Sequence, residues 1–395
     1  MANYLLRRTI QMVLVVFIAT LAIFFLLNAA PGGPTSGLNQ NGDLRTRLGE
    51  AEIARLERSL GLNKPLVLSY AIWLFGEDWV DDLGNLLGHP DLNNQLLFSG
   101  TWRDYQSPTC DDAGGTNANS DPGKPAPCNR GIIRWDWGES WSLASGQQVT
   151  TVIGSRVSNT VILMASVAVV SLLIAVPIGI ISAVRQYSTL DYAVTTFSFF
   201  GIAMPVFWFG LLVIIFFGLQ FREWGLPYFP TGDVFTVRVL PGSIQDVLGI
   251  EPKSFMDRII HLVLPVSVLT LLYLATWSRF MRGSMLEVLR LDYVRTARSK
   301  GVREIVVIVK HAARNALIPL VTIVVFQIPQ IFGGAIVTET IFNYPGMGRL
   351  FFDALQFNDW PIVMALLFIT AILVVIATLI GDVLYTIIDP RIRFE

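Results

Sequence analysis

The chain has 395 residues, 53% of them hydrophobic and 15% charged, with a formal net charge of −1. A soluble domain carries about a quarter charged residues, so this balance excludes an ordinary soluble protein and makes lipid the solvent for much of the chain. Two cysteines, Cys110 and Cys128, and three histidines, His89, His261 and His311, are too few and too scattered for the usual ligand spacing of a metal site, and none is expected.

A spanning helix needs about 20 largely apolar residues to cross a hydrocarbon core of roughly 30 Å. Six segments without Asp, Glu, Lys or Arg meet this requirement: residues 9–30, 157–184, 192–221, 259–278, 315–338 and 360–381. The expected fold class is therefore an all-α integral membrane protein with six transmembrane helices. The first segment follows Arg7 and Arg8 but exceeds the roughly 7 to 15 apolar residues of a secretory signal, so it reads as a retained helix.

Residues 31–156 are a connection far longer than helix pairs need. Within it, 50–60 reads as an amphipathic helix ending at Gly61, and 65–74 as a second, interfacial helix. From 76 to 130 the composition turns to Gly, Pro, Asn and Asp, with Cys110 and Cys128 bracketing its most irregular part. If this loop leaves the cytoplasm, the two thiols are expected to form a disulfide, which would contribute about 3 kcal/mol by restricting the unfolded chain. Six of the 10 tryptophans (Trp73, Trp79, Trp102, Trp135, Trp137 and Trp141) also lie here, a composition suited to a small core with surface anchoring or to a binding patch.

Lys and Arg concentrate in cytoplasmic loops. With the N-terminus inside, residues 1–8, 185–191, 279–314 and 382–395 hold 14 Lys and Arg against 7 Asp and Glu, while the remaining loops hold 15 against 23. Both termini are thus expected inside and 31–156 outside. The chain divides into a first helix (1–30), an extracytoplasmic subdomain (31–156) and a five-helix core (157–395). Prolines at 177, 205, 265, 319 and 329 interrupt the later spans, where they free backbone carbonyls and permit kinks.

Several chemistries are disfavoured. No GxxxxGK[ST] loop is present to cradle a nucleotide phosphate, and no HExxH to hold a catalytic metal. The apolar cores carry no carboxylate for proton or cation coupling. No catalytic residue is assigned, no nucleic-acid partner is expected, and an intramembrane enzyme would need a nucleophile and base that the pattern does not supply.

The informative charged segment is 279–314, with nine Lys and Arg. Met285, Leu286, Leu289 and Val294 recur near helical spacing beside Arg290, Arg295, Arg298, Lys300 and Arg303, so two short helices broken at Gly301 are expected. Physics alone leaves two uses open, docking in a partner's groove or lying on anionic headgroups.

The run DYVRTARSKGVREIVVIVKHAARNALIP over 292–319 resembles the coupling loop of binding-protein-dependent ABC importer permeases of the dipeptide, oligopeptide and nickel branch. Its Ala297 and Gly301 stand where that family has the last alanine and the glycine of an EAA-like motif, while Arg295 and Thr296 depart from its first two letters. RR with PGGP, LGLNKPLVLSY (60–70), WDWGES (135–140), ETIFNYPGMGRL (339–350), DW-P (359–361) and DVLYTIIDPRIRF (382–394) extend the resemblance along most of the chain. The stretch 76–133 departs from it.

The resemblance implies a type I permease fold in a prokaryotic cell membrane, forming half of a path for peptides or similar solutes. It implies a second permease, two ATPase subunits holding ATP and Mg, and an extracytoplasmic solute-binding protein; this chain itself would hold no cofactor. Coupling to the ATPase would fall to Asp292, Tyr293, Arg295, Ala297, Arg298, Lys300 and Gly301. Pro205, Pro319, Glu339, Pro345 and Gly346 would lie near the pore. The rival reading is a non-transporting sensory or structural membrane protein with a binding outer lobe.

Overall fold

The computed structural model describes residues 2–29, 66–76, 131–144, 146–327 and 335–388. Its elements in chain order are α1 (Ala2–Ala29), α2 (Leu66–Phe75), a 3-10 turn (Ile132–Arg134), α3 (Val149–Val184), α4 (Thr189–Ala203), α5 (Val206–Glu223), α6 (Ile244–Val247), α7 (Phe255–Val288), α8 (Asp292–Ser299), α9 (Glu304–Phe326), α10 (Ile336–Ile341), α11 (Met347–Gln356) and α12 (Trp360–Ile388). Among the described residues, six helices are long and apolar enough to cross a membrane: α1, α3, α5, α7, α9 and α12.

The helix ends differ from the sequence reading in three informative places. Segment 192–221 is two helices, because Met204 and Pro205 adopt extended backbone (ψ 125° and 126°), the conformation favoured for a proline and the residue before it. Pro177, Pro265 and Pro319 instead lie inside continuous helices. The fifth span begins at Glu304 rather than near 315, carrying Lys310, His311 and Arg314 into the helix. Pro329, Cys110, Cys128 and the helix expected over 50–60 lie outside the described residues.

The chain divides into two compact units, one of Met1–Thr9, Arg156–Leu350 and Ile369–Glu395, the other of Ile10–Ser155 and Phe351–Phe368. In the first unit α7 is the central strut and packs against α4, α5 and α9. One apolar cluster joins Trp277, Met281 and Met285 of α7 to Ala312, Ala316 and Leu320 of α9; a second joins Leu163 and Val167 of α3 to Leu264 and Val268 of α7 and to Phe342 and Tyr344. Side chains such as Leu173 stay 70% exposed, as a surface facing lipid or another membrane subunit requires.

Three helix starts share one device. Ser188, Ser243 and Ser254 are N-caps that accept from the N–H groups of Asp191, Asp246 and Asp257 at 3.1–3.2 Å. Each aspartate in turn accepts from the N–H of the residue before the serine, Tyr187, Gly242 or Lys253, at 2.9 Å. Those three residues all have positive φ, 63°, 78° and 62°. This Ser-x-x-Asp box satisfies orphan donors from both directions. Two of its aspartates also hold other elements.

In the second unit, α2 forms where a helix was expected and packs on α1: Thr20 Oγ1 and Tyr70 Oη are 2.8 Å apart, and Phe24, Tyr70, Leu74 and Met364 form a buried cluster. Trp73 and Trp137 both meet the ring of Phe368 edge-on, at 5.9 and 5.6 Å. Two motifs far apart in sequence converge here. Asp359, fully buried, accepts from the Ser140 hydroxyl and from the N–H groups of Ser142 and Leu143 at 3.1 and 3.0 Å.

A candidate coupling surface and its supports

α7 stops at Val288 and α8 starts after Leu291, whose extended backbone (ψ 148°) separates the two helices. α8 buries only Val294 and Ala297. Both join the cluster of Met281, Met285 and Val288 of α7 and Val307, Ile308, Ala312 and Ala313 of α9. A three-residue spacing places these two side chains on one face. Asp292, Tyr293, Arg295, Arg298, Lys300 and Gly301 are exposed.

The end of α8 is fixed by short-range geometry. Gly301 sits at φ +72° with open space where a Cβ would project, and its N–H donates to Arg298 O at 3.0 Å; a left-handed glycine after a helix is the usual terminator. Arg298 then reaches across the turn to Glu304, with Nη2–Oε1 2.7 Å and Nε at 3.2 Å from both oxygens. Glu304 in turn raises the Arg298 guanidinium above its ordinary value. On the other side, Asn315 of α9 donates to the Tyr293 hydroxyl at 2.7 Å, and that hydroxyl donates to His311 O at 3.4 Å. Val307–Ala313, the stretch of α9 beneath α8, is π-helical, a widening that recurs at functional sites.

A support missed in the sequence lies at the α3–α4 turn. Asp191 is 3% exposed and receives Arg282 of α7 in a fork, Nε–Oδ1 2.7 Å and Nη2–Oδ2 2.8 Å. Ser182 and the Tyr187 N–H complete its shell. The guanidinium hydrogen bonds hold the Asp191 carboxyl well below the usual carboxylate range, against the opposing effect of burial. The available signal was the Ser-x-x-Asp box at 188–191; its partner 91 residues away had none.

A separate polar cluster holds the turn between α10 and α11. Glu339 is fully buried within the chain. It accepts from Thr160 Oγ1 at 3.1 Å and from the Arg349 N–H at 2.9 Å, at the N-terminus of α11, where negative charge is favoured. Thr160 also receives the Met347 N–H at 2.7 Å. Burial pushes the Glu339 carboxyl up, with the Arg349 N–H and Thr160 hydroxyl opposing. Asn159 donates to Pro345 O at 3.0 Å and receives Arg258 at 2.8 Å and the Tyr344 hydroxyl, on its carbonyl, at 3.0 Å. Gly346 is obligatory for space, since an added Cβ would lie 2.4 Å from the Glu339 carboxyl carbon. Pro205 and Pro319 are exposed on α5's cap and in α9 and take no part in this turn.

Comparison with known proteins agrees with this architecture. The family described as "Binding-protein-dependent transport system inner membrane component" matches residues 175–394, which include α8, Gly301 and the Glu339 turn. The chain is 34% identical over 394 residues to the oligopeptide transport system permease protein AppB of Bacillus subtilis (strain 168), covering 100% of both. It is 33% identical over 394 residues to a putative peptide permease of Brucella suis biovar 1 (strain 1330), covering 100% of this chain and 99% of that protein. Similarity to the dipeptide transport system permease protein DppB of Escherichia coli (strain K12) is 37% over 230 residues, 56% of this chain and 67% of that one.

Proposed function

Since the chain belongs to the binding-protein-dependent transport system inner membrane components, we propose that it forms half of an ATP-driven import path for peptides and that α8 is its contact with an ATPase subunit. It is a permease subunit of an ABC importer, and ATP hydrolysis lies in partner subunits. The observation that carries the coupling assignment is the division of α8 into two buried apolar residues and an exposed polar remainder.

The mechanics follow from that division. ATP-driven closure of an ATPase pair displaces whatever is seated in it, and a short helix pinned between α7 and α9 passes a push at Arg295, Arg298 or Lys300 to both spans. Asp191 and Arg282 hold the α3–α4 turn to α7, so the same push reaches a third element. Ala297 and Gly301 have distinct roles in this scheme, one seating the helix and the other turning the chain away from it.

The remaining parts belong to the same proposal: both termini cytoplasmic, residues 31–156 extracytoplasmic with a Cys110–Cys128 disulfide, and a complex completed by a second permease, two ATPase subunits that bind ATP and Mg, and a peptide-binding protein. The cargo class rests on the relatives named above. Purification of the tagged chain in mild detergent, followed by mass spectrometry and an ATPase assay with the peptide-loaded binding protein, tests the whole. Recovery of two ATPases with peptide-stimulated hydrolysis is the expected result; reproducible recovery of the chain alone would refute it and favour a sensory or structural role.

A further inference from the structure

We infer that α3, α4 and α7 form a binding site for one anionic phospholipid, its acyl chain in the hollow between them and its phosphate on Arg279. The hollow has a volume of about 370 Å³ and is lined by Ile178 of α3, Val194, Phe197 and Ser198 of α4, and Leu274 and Ser278 of α7. Its two hydroxyls are already engaged: Ser198 donates to Val194 O at 2.8 Å and lies 3.4 Å from Ser278 Oγ. With Ser278 donating to Ser198, both hydroxyl hydrogens are spent and the serines offer the hollow no free donor. An acyl chain needs none, whereas a peptide must pair its own amides or lose several kcal/mol for each.

The cation is placed independently of the hollow. Arg279 is the first charged residue of α7 after Arg258, and the 20 uncharged residues between them span about 30 Å as a helix, the thickness of the hydrocarbon core. Arg279 therefore stands at headgroup depth, on the cytoplasmic side in the orientation proposed above. Its guanidinium lies 5.4 Å over the exposed ring of Phe199, the residue after Ser198, just as Arg279 follows Ser278. Among the described residues it has no hydrogen-bond acceptor and no carboxylate; Asp191 is occupied by Arg282. A planar fork of donors held against a ring beside an apolar slot fits a phosphodiester bidentately. A zwitterionic lipid would place a second cation next to Arg279, so an anionic headgroup is favoured.

The test uses the assembled complex in nanodiscs with phosphatidylglycerol or phosphatidylcholine carrying a photoactivatable acyl chain, the crosslinked peptides being mapped by mass spectrometry. Phosphatidylglycerol should label residues 193–198 and 274–278, and phosphatidylcholine should label them far less. Arg279→Gln should lower that labelling roughly tenfold, the effect of losing a charge-assisted pair, and Arg279→Lys only partly. Ala193 also lines the hollow, and Ala193→Trp, which fills it, should abolish the labelling with Arg279 intact; should that variant fail to assemble, Arg279→Gln, at an exposed side chain, still decides. Equal labelling by both lipids, or unchanged labelling in Arg279→Gln, overturns the inference. Displacement by millimolar inorganic phosphate would reduce the site to a simple anion contact, and displacement by a cargo peptide would reassign the hollow to the import path; either also overturns it.

Discussion

Asp191 and Gly346 show how single residues fix two turns of the frame. Asp191→Asn keeps the size of the side chain and removes the charge that Arg282 needs. The expected loss is about 3 kcal/mol, the low end for one member of a buried pair, because Arg282 retains 26% exposure. The sign of its pH dependence follows from a carboxyl whose folded pKa is depressed. The stabilisation is present above the unfolded value of about 3.9 and is lost as pH falls toward the folded one. The gap in thermal midpoint between the wild type and Asp191→Asn should therefore stay constant from about pH 8 to about pH 5 and narrow below about pH 4; a gap already closing near neutrality would contradict the assignment. At Gly346 the limit is space. Gly346→Ala sets a methyl against the Glu339 carboxyl, and overpacking of this kind costs about 1–3 kcal/mol, to be read as a lower midpoint in the purified complex.

At the scale of elements, α8 separates stability from coupling. The Arg298–Glu304 fork is half exposed, with 42% and 54% of the side chains accessible, so Arg298→Ala should cost at most about 1 kcal/mol of stability. If α8 is the ATPase contact, the same substitution should still lower peptide-stimulated hydrolysis several-fold while assembly is retained. Unchanged stimulation in Arg298→Ala together with Arg295→Ala would remove this face from the contact. Gly301→Ala should cost about 1–2 kcal/mol, because a Cβ at φ +72° is strained although nothing crowds it. The break at Gly301 was legible in the sequence, since a glycine after a helical run marks a stop. The break at Leu291 was not, because leucine carries no such signal, and segment 284–301 reads as one helix. Pro205 and Pro265 likewise look alike in sequence, yet the first stands at a helix break and the second inside a continuous helix; a proline's residue type alone does not tell the two apart.

For the whole molecule, hydropathy sufficed to find the spans because the bilayer imposes length and apolarity on each one separately. What it could not supply were the polar pairs that tie spans to the shorter helices, such as Asp191–Arg282 and Thr160–Glu339, since these depend on residues distant in sequence. The proposed orientation predicts opposite labelling at two exposed positions. A membrane-impermeant maleimide added to intact cells should modify Val237→Cys, where the side chain is 90% exposed, and should reach Arg295→Cys only after the membrane is opened. The reverse pattern would invert the topology. Reduction should also raise the mass of the outer-loop peptide by two hydrogens if Cys110 and Cys128 are paired.

The convergence of Ser140 with Asp359 bears on how the protein is made. The two residues are 219 positions apart, so a loop synthesised early has no carboxylate to close on until nearly the whole chain has left the ribosome. The order of birth and the order of completion are thus reversed, and the start of the last span closes a turn that was synthesised before the second span. A stalled or truncated nascent chain would leave the N–H groups of Ser142 and Leu143 without that acceptor.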